Sequence, residues 1–270
     1  VIDRFTEADT IADFGSQWTK FRSNSGYYGS DDILENLLGP LIPIKSLKGK
    51  KIADVGAGTG RYTRMLYACN PNKIIAIEPS AAFDVLKENV ADLKGVECLQ
   101  LPADKTPLMD FDLVFCAGVL QFIPDQFSAL KAMGKSLGPN GQLFLWVYGQ
   151  EKNDLYLKFI KPIRKITSRL SHEALEKLST LMLIPAYLYS FLCKYMPLPL
   201  SSYIREYFSR MDSYSKKLII FDQLNPKTAR YYRKEELIEI LKYSGFHDIR
   251  MHHHLGYSWS VLARYDKQLP

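Results

Sequence analysis

The 270 residues carry a formal charge of +6, with 47% hydrophobic and 24% charged side chains, a balance ordinary for a soluble globular chain with one sizeable core. Four cysteines, Cys69, Cys98, Cys116 and Cys193, show no C-x-x-C spacing and no clustering with histidine. That pattern excludes a disulfide framework, makes a metal site unexpected and suits a reducing, cytoplasmic setting.

Residues 1–20 are polar and mixed in charge, unlike a signal peptide. An N-terminal helical segment is expected over 1–48. Within it, Asp13-Phe14-Gly15-Ser16-Gln17-Trp18-Thr19-Lys20-Phe21 mixes aromatic and polar groups, and 31–38 reads as a helix with an acidic first turn. From 49 to 150 the pattern alternates. Apolar runs at 52–55, 73–77, 96–101, 111–117 and 141–148 read as strands, and 62–69, 81–93 and 128–136 as helices. Such alternation predicts a parallel sheet covered on both faces.

After the first strand, Asp54-Val55-Gly56-Ala57-Gly58-Thr59-Gly60 leads straight into a helix. Glycine turns the backbone sharply and lets a ligand approach, while the helix start offers unpaired N–H groups, so a nucleotide site is expected. The spacing is G-x-G-x-G, whereas a dinucleotide site calls for G-x-G-x-x-G, which disfavours a nicotinamide oxidoreductase. Glu78, followed by Pro79, ends the second strand, where a carboxylate can take both hydroxyls of a ribose. Leu101-Pro102-Ala103-Asp104 follows the third strand. The fourth is Phe111-Asp112-Leu113-Val114-Phe115-Cys116-Ala117, continuing through Gly118-Val119-Leu120-Gln121 to Pro124-Asp125.

Beyond residue 150 the rhythm breaks. Residues 151–217 hold 12 Lys/Arg against 6 Asp/Glu, so the whole net charge resides there. Residues 178–196 are almost uninterruptedly apolar, though Pro185 and Lys194 spoil a spanning helix of ~20 residues. One reading is a peripheral membrane patch for a lipid-linked acceptor. The favoured reading is a helical cap over 151–220 that buries this surface against the core. Over 221–270 a helix and a two-stranded hairpin complete the pattern. His252-His253-His254 cannot converge on one metal ion, since neighbours on a strand point to opposite faces.

Four motifs in register, Asp54 to Gly60, Glu78-Pro79, Ala103-Asp104 and the 111–125 segment, resemble those of class I S-adenosylmethionine (SAM) dependent methyltransferases. The resemblance implies an α/β fold, a Rossmann-like seven-stranded methyltransferase sheet with a helical cap inserted after the fifth strand. It implies SAM as cofactor, held by Trp18, Asp54, Gly56, Ala57, Gly58, Gly60, Glu78, Pro79, Ala103, Asp104, Ala117 and Gln121. Phe14-Gly15-Ser16-Gln17-Trp18 and the late Phe221-Asp222-Gln223-Leu224-Asn225-Pro226 segment are similar to bacterial methyltransferases of cell-surface glycan pathways. Relatives often carry His near position 121 and before the Glu235-Glu236 helix; here Gln121 and Tyr232 stand there. The expected acceptor is a small molecule or glycan, methylated at oxygen, with Asp222, Tyr232 and His253 as candidate bases and Tyr231 beside them. Alternatives are a carbon or nitrogen atom of a natural-product or lipid-linked acceptor, or a non-catalytic methyltransferase-like subunit. A nucleic-acid partner is not expected, because Cys116-Ala117-Gly118-Val119 replaces the Asn/Asp-Pro-Pro-aromatic motif of base amino-methylation.

Overall fold

The computed structural model describes residues 6–226 and 229–267. Residues 1–5 of the expected N-terminal segment lie outside them. Seven strands form one sheet: β1 (Lys51–Val55), β2 (Lys73–Ile77), β3 (Val96–Leu99), β4 (Phe111–Ala117), β5 (Leu137–Tyr148), β6 (Phe246–His254) and β7 (Ser258–Tyr265). Their order is β3-β2-β1-β4-β5-β7-β6. The first five run parallel, and β7 enters antiparallel to β5, pairing Tyr148 with Ser258. The order reverses between β1 and β4, which opens the crevice where open α/β sheets bind ligands.

The strands alternate apolar side chains to both faces, and each face has its own helices. Ile52, Ile74, Leu113, Phe115 and Phe144 join α2 (Asp31–Leu38) and α3 (Arg61–Ala68). Val55, Ile77, Val114, Cys116 and Leu145 meet α5 (Gln126–Lys135) and α11 (Lys234–Tyr243) on the other face. Burying both faces explains why these strands read as continuous apolar runs. Beside β2, α4 (Ala82–Asn89) packs through Leu86 on Ala57 and Ala76.

α1 (Glu7–Lys20) begins with a capping box, in which Thr6 accepts from the Asp9 N–H and the Asp9 carboxylate accepts from Thr6. Gly15 brings this helix close to the turn before α4, since a Cβ there would lie 3.0 Å from the Ala81 nitrogen. The cap comprises α6 (Asp154–Thr167), α7 (His172–Leu181), α8 (Leu183–Tyr195) and α9 (Ser201–Glu206), and leads into α10 (Ser213–Leu224). α10 runs through residue 220, where the sequence expectation ended the cap.

The cap corrects one expectation. α8 turns Ser190 and Cys193 inward and leaves Ile184, Leu188, Phe191 and Tyr195 exposed, as Leu181 is at the end of α7. The apolar run therefore faces outward. A helix that is apolar nearly all round can bury only one of its sides against a single neighbouring layer.

Candidate active site

The C-terminal ends of β1, β2, β4 and β5 open into a cavity of about 480 Å³ roofed by α1 and the cap. Its floor is the glycine loop. The N–H groups of Gly56 and Ala57 both donate to the Ile77 carbonyl, at 2.8 and 2.9 Å, which folds the loop back onto β2. Gly56 has φ +75°, and a Cβ there would stand 2.3 Å from Val119 Cγ2, so neither conformation nor space admits another residue. The Gly58 N–H donates to Glu78 Oε2 at 2.8 Å, while Glu78 Oε1 accepts from the Ser80 N–H and hydroxyl. Glu78 is thereby fixed at the cavity wall with lone pairs to spare for a ligand.

Along one side, Pro79, Leu101, Pro102, Ala103, Ile123 and Pro124 form an apolar slot. Just behind Ala103, Asp104 Oδ1 is shielded from solvent with no hydrogen-bond partner among the described residues. Along the other side stand Trp146, Tyr148, Tyr203, Tyr207 and Tyr257. α1 closes the roof. Trp18 lies over the glycine loop, its Nε1 being 3.6 Å from where a Gly58 Cβ would be, and Phe14 packs on Phe122 with ring centroids 4.7 Å apart.

The ionisable groups in this apolar space are few and specifically held. Asp222 Oδ1 accepts from Gln17 Nε2 at 2.9 Å and Oδ2 from the Tyr148 hydroxyl at 3.2 Å. Burial raises the Asp222 carboxyl above the usual range, and these two donors, with Arg164 and Arg61, oppose that rise. Burial likewise pushes the Tyr148 hydroxyl well up. Arg61, the first residue of α3, is sandwiched between the rings of Tyr28 and Tyr62, 4.0 Å from each centroid. His254 also lines the cavity; burial lowers it to about 4, so its imidazole is neutral at physiological pH.

Of the residues singled out from sequence, Trp18, Gly56, Ala57, Gly58, Glu78, Pro79, Ala103, Ala117 and Asp222 line the cavity. Asp222 does so from the last turn of α10, not from a loop. The others lie elsewhere. Asp54 is buried behind the glycine loop and accepts the Thr63 hydroxyl at 2.6 Å. Gly60 makes room for α4, as a Cβ there would be 2.9 Å from Leu86 Cδ1. Gln121 sits in a 3-10 turn that aims Val119 and Phe122, three residues apart, at the cavity and turns position 121 away. Its side-chain amide is buried without a partner among the described residues.

Two candidate bases are corrected by strand alternation. Tyr232 bridges to Gly149 beside β5, donating its N–H to the Tyr148 carbonyl at 2.9 Å. That register sends Tyr232 into the core against α11 and Tyr231 into the cavity, where it stacks on Tyr148. On β6, His253 stacks on Trp259, with centroids 4.3 Å apart, while its neighbour His254 faces the cavity.

Arg61 and the tyrosine wall were missed from sequence. A signal for Arg61 existed: a cation in the first turn of a helix opposes the macrodipole and needs another reason to be there. Tyr203 in α9 and Tyr207 just past its end, four apart in sequence, were equally visible as a pair.

Residues 53–145 match a family model described as a methyltransferase domain. A tRNA U34 carboxymethyltransferase of Nautilia profundicola is 30% identical over 152 residues, covering 53% of this chain and 50% of that protein. The chain thus spans about half the length of the curated relative it matches. Among solved structures, a complex titled DhpI-SAM-HEP is similar with a TM-score of 0.56 at 14% identity, covering 93% of this chain and 94% of that one. A SAM-dependent methyltransferase from Aquifex aeolicus is similar with a TM-score of 0.51 at 17% identity, covering 92% and 97%.

The fold is that of the class I SAM-dependent methyltransferases. Residues 53–145 match the methyltransferase-domain model, and the cofactor of enzymes with this fold is SAM. The cavity fits it chemically. Glu78 offers a carboxylate at a strand end, and the slot beside it is apolar. Asp104, next in sequence to the slot's Ala103 but not itself part of the cavity lining, holds a buried Oδ1 with no donor among the described residues.

Proposed function

We propose that the chain transfers a methyl group from SAM to an oxygen of a small, largely apolar acceptor, such as a phenol or a glycan on an apolar carrier. In this reading Glu78 takes the ribose hydroxyls, Asp104 the adenine amino group and Arg61 the cofactor carboxylate, with Trp18 closing over the loop. SAM supplies an electrophilic methyl on a good leaving group, so the protein chiefly aligns the acceptor and excludes water. The tyrosine wall would hold the acceptor, and Asp222 would receive its hydroxyl proton as the bond to the methyl forms. The observation that carries this is the buried Asp222 in the same cavity as the glycine loop, oriented by Gln17 and Tyr148. A carboxyl with a raised pKa is better matched to proton transfer near neutrality than an exposed one.

The test is calorimetric SAM binding, followed by mass-spectrometric search for methylated products among phenols, sugars and lipid extracts. SAM binding without any methylated product would favour a non-catalytic subunit. A second reading, a tRNA acceptor, draws on the named activity of the Nautilia relative, and methyl incorporation into bulk tRNA would favour it.

A further inference from the structure

α6 presents three stripes. Leu157, Ile160 and Arg164 face inward, with Ile160 lining the cavity. Leu155, Phe159, Ile163 and Ile166 recur at near-helical spacing on the outer side, where Ile166 is 71% exposed. Lys158, Lys161 and Lys165 are exposed in a third stripe, roughly 100° round the axis from the second, and Arg169 is exposed in the turn just beyond the helix. Among the described residues none of these four cations forms an ion pair, and Asp154 is the one acid on the helix. α8 likewise exposes Ile184, also 71% exposed, Leu188, Phe191 and Tyr195, and carries Lys194 and no acid.

Scattered exposed apolar groups need no explanation, but apolar residues recurring along the exposed sides of two cap helices that both pack on α10 do. We infer that the outer face of α6 and α8 docks on the surface of an anionic lipid membrane. Charge decides between this and a protein partner. Lysine is depleted at protein interfaces, whereas a lysine stripe flanking an apolar one is what a helix lying among acidic headgroups requires. Among the described residues no helix is long and apolar enough to cross a membrane, so the helices would lie in the interface. Met182, between α7 and α8, is both exposed and part of the cavity wall, so the docked face adjoins the acceptor chamber. An acceptor with an apolar chain could then pass from the bilayer to the tyrosine wall without crossing water. That last step rests on the proposed function; the docking does not, since α6 and α8 carry no proposed cofactor residue.

The experiment is vesicle co-sedimentation of the 270-residue chain, with phosphatidylcholine alone and with phosphatidylcholine mixed with phosphatidylglycerol. Binding should require the anionic lipid and weaken with salt, each basic residue contributing about fivefold. Ile166→Glu, Phe191→Glu and the pair Lys161→Glu with Lys165→Glu should each release the chain at an unchanged thermal midpoint, because all four sites are exposed. SAM affinity should stay as in the parent, which separates loss of docking from loss of the cofactor site. No binding by the parent chain, or binding unaffected by all of these variants, would overturn the inference. So would a dimer, seen by light scattering, that Phe191→Glu dissociates while vesicles are ignored.

Discussion

Gln17 and Asp222 are separated by 205 residues, yet the amide Nε2 of one donates to the carboxylate Oδ1 of the other at 2.9 Å. The bond joins α1 to α10 directly above the cavity. Asn225 extends it, donating to Gln17 Oε1 at 3.1 Å and to Asp13 Oδ2 at 3.2 Å. His172 ties Asp13 and Ser16 to the cap at 2.8 and 2.7 Å. The Phe-Gly-x-Gln-Trp segment thus has a physical meaning: Phe14 and Trp18 roof the cavity, Gly15 permits the close approach, and Gln17 aims the acid.

Asp222→Asn should leave SAM binding near the parent value and slow single-turnover methylation by roughly 10²–10⁴-fold. For the parent the rate should climb with pH through a value above the ordinary carboxylate range, because the raised pKa delays formation of the base. A rate equal to the parent's across neutral pH would remove Asp222 from the chemistry.

Gln17→Met keeps the volume and deletes the donor, leaving the buried carboxylate and Asn225 short of a partner. A loss of about 1–3 kcal/mol in urea-derived stability is expected. The pH–rate profile should also move to higher pH, since a group that favours ionised Asp222 has gone. An unshifted profile would assign Gln17 a packing role only.

Tyr231→Phe and Tyr232→Phe make a paired control. The first removes a hydroxyl that accepts from Arg164 at 3.2 Å inside the acceptor region, and should raise the acceptor KM. The second loses a long bond to the Leu120 carbonyl and an interaction with the Gln126 side chain, both in the core, costing about 1 kcal/mol with kinetics unchanged. Reversed outcomes would mean that the register at Gly149 has been misassigned.

Burial is the main cause that raises Asp54, to about 7, with the Thr63 hydroxyl opposing. An unfolded aspartate titrates near 3.9, so between about pH 4 and 7 the native chain holds a proton the unfolded chain lacks. Stability therefore falls as pH rises through that window, by up to about 1.4 kcal/mol per unit. Asp54→Asn retains an acceptor for Thr63 and should flatten the slope, so its advantage over the parent grows from pH 5 to pH 8. Parallel stability curves for the two proteins would show Asp54 already ionised at pH 5.

Gly56 and Gly58 should respond differently to alanine. At Gly56 the added methyl meets Val119 far inside contact distance, so the variant is expected not to fold. At Gly58, φ +56° costs about 1–2 kcal/mol but the methyl meets Trp18 at an ordinary distance. That variant should fold and bind SAM more weakly, by calorimetry. Parent-like affinity would place the cofactor away from this loop.

The strands and the glycine loop were readable because their signals are local: a run of apolar residues, a Gly triplet, an acid at a strand end. Asp222 was readable as a residue type in a plausible segment, but not as a helical one. The choices between Tyr231 and Tyr232, and between His253 and His254, were not readable. Alternation guarantees that neighbours oppose each other, while which one faces the cavity depends on pairing with a distant strand. The outward face of α8 was illegible for a related reason, since apolarity reports an appetite for burial and not which neighbour is present to satisfy it.

The reach from Gln17 to Asp222 also sets when the site can exist. At about 5–20 residues per second, roughly 10–40 s separate the synthesis of the two residues. Through that interval α1 rests on the turn before α4, on Phe122 and on the glycine loop, without its α10 partner, although β1 to β5 beneath it can already pair. Ribosome-arrested chains ending before residue 222 should therefore be cut within α1 by a protease that the released chain resists.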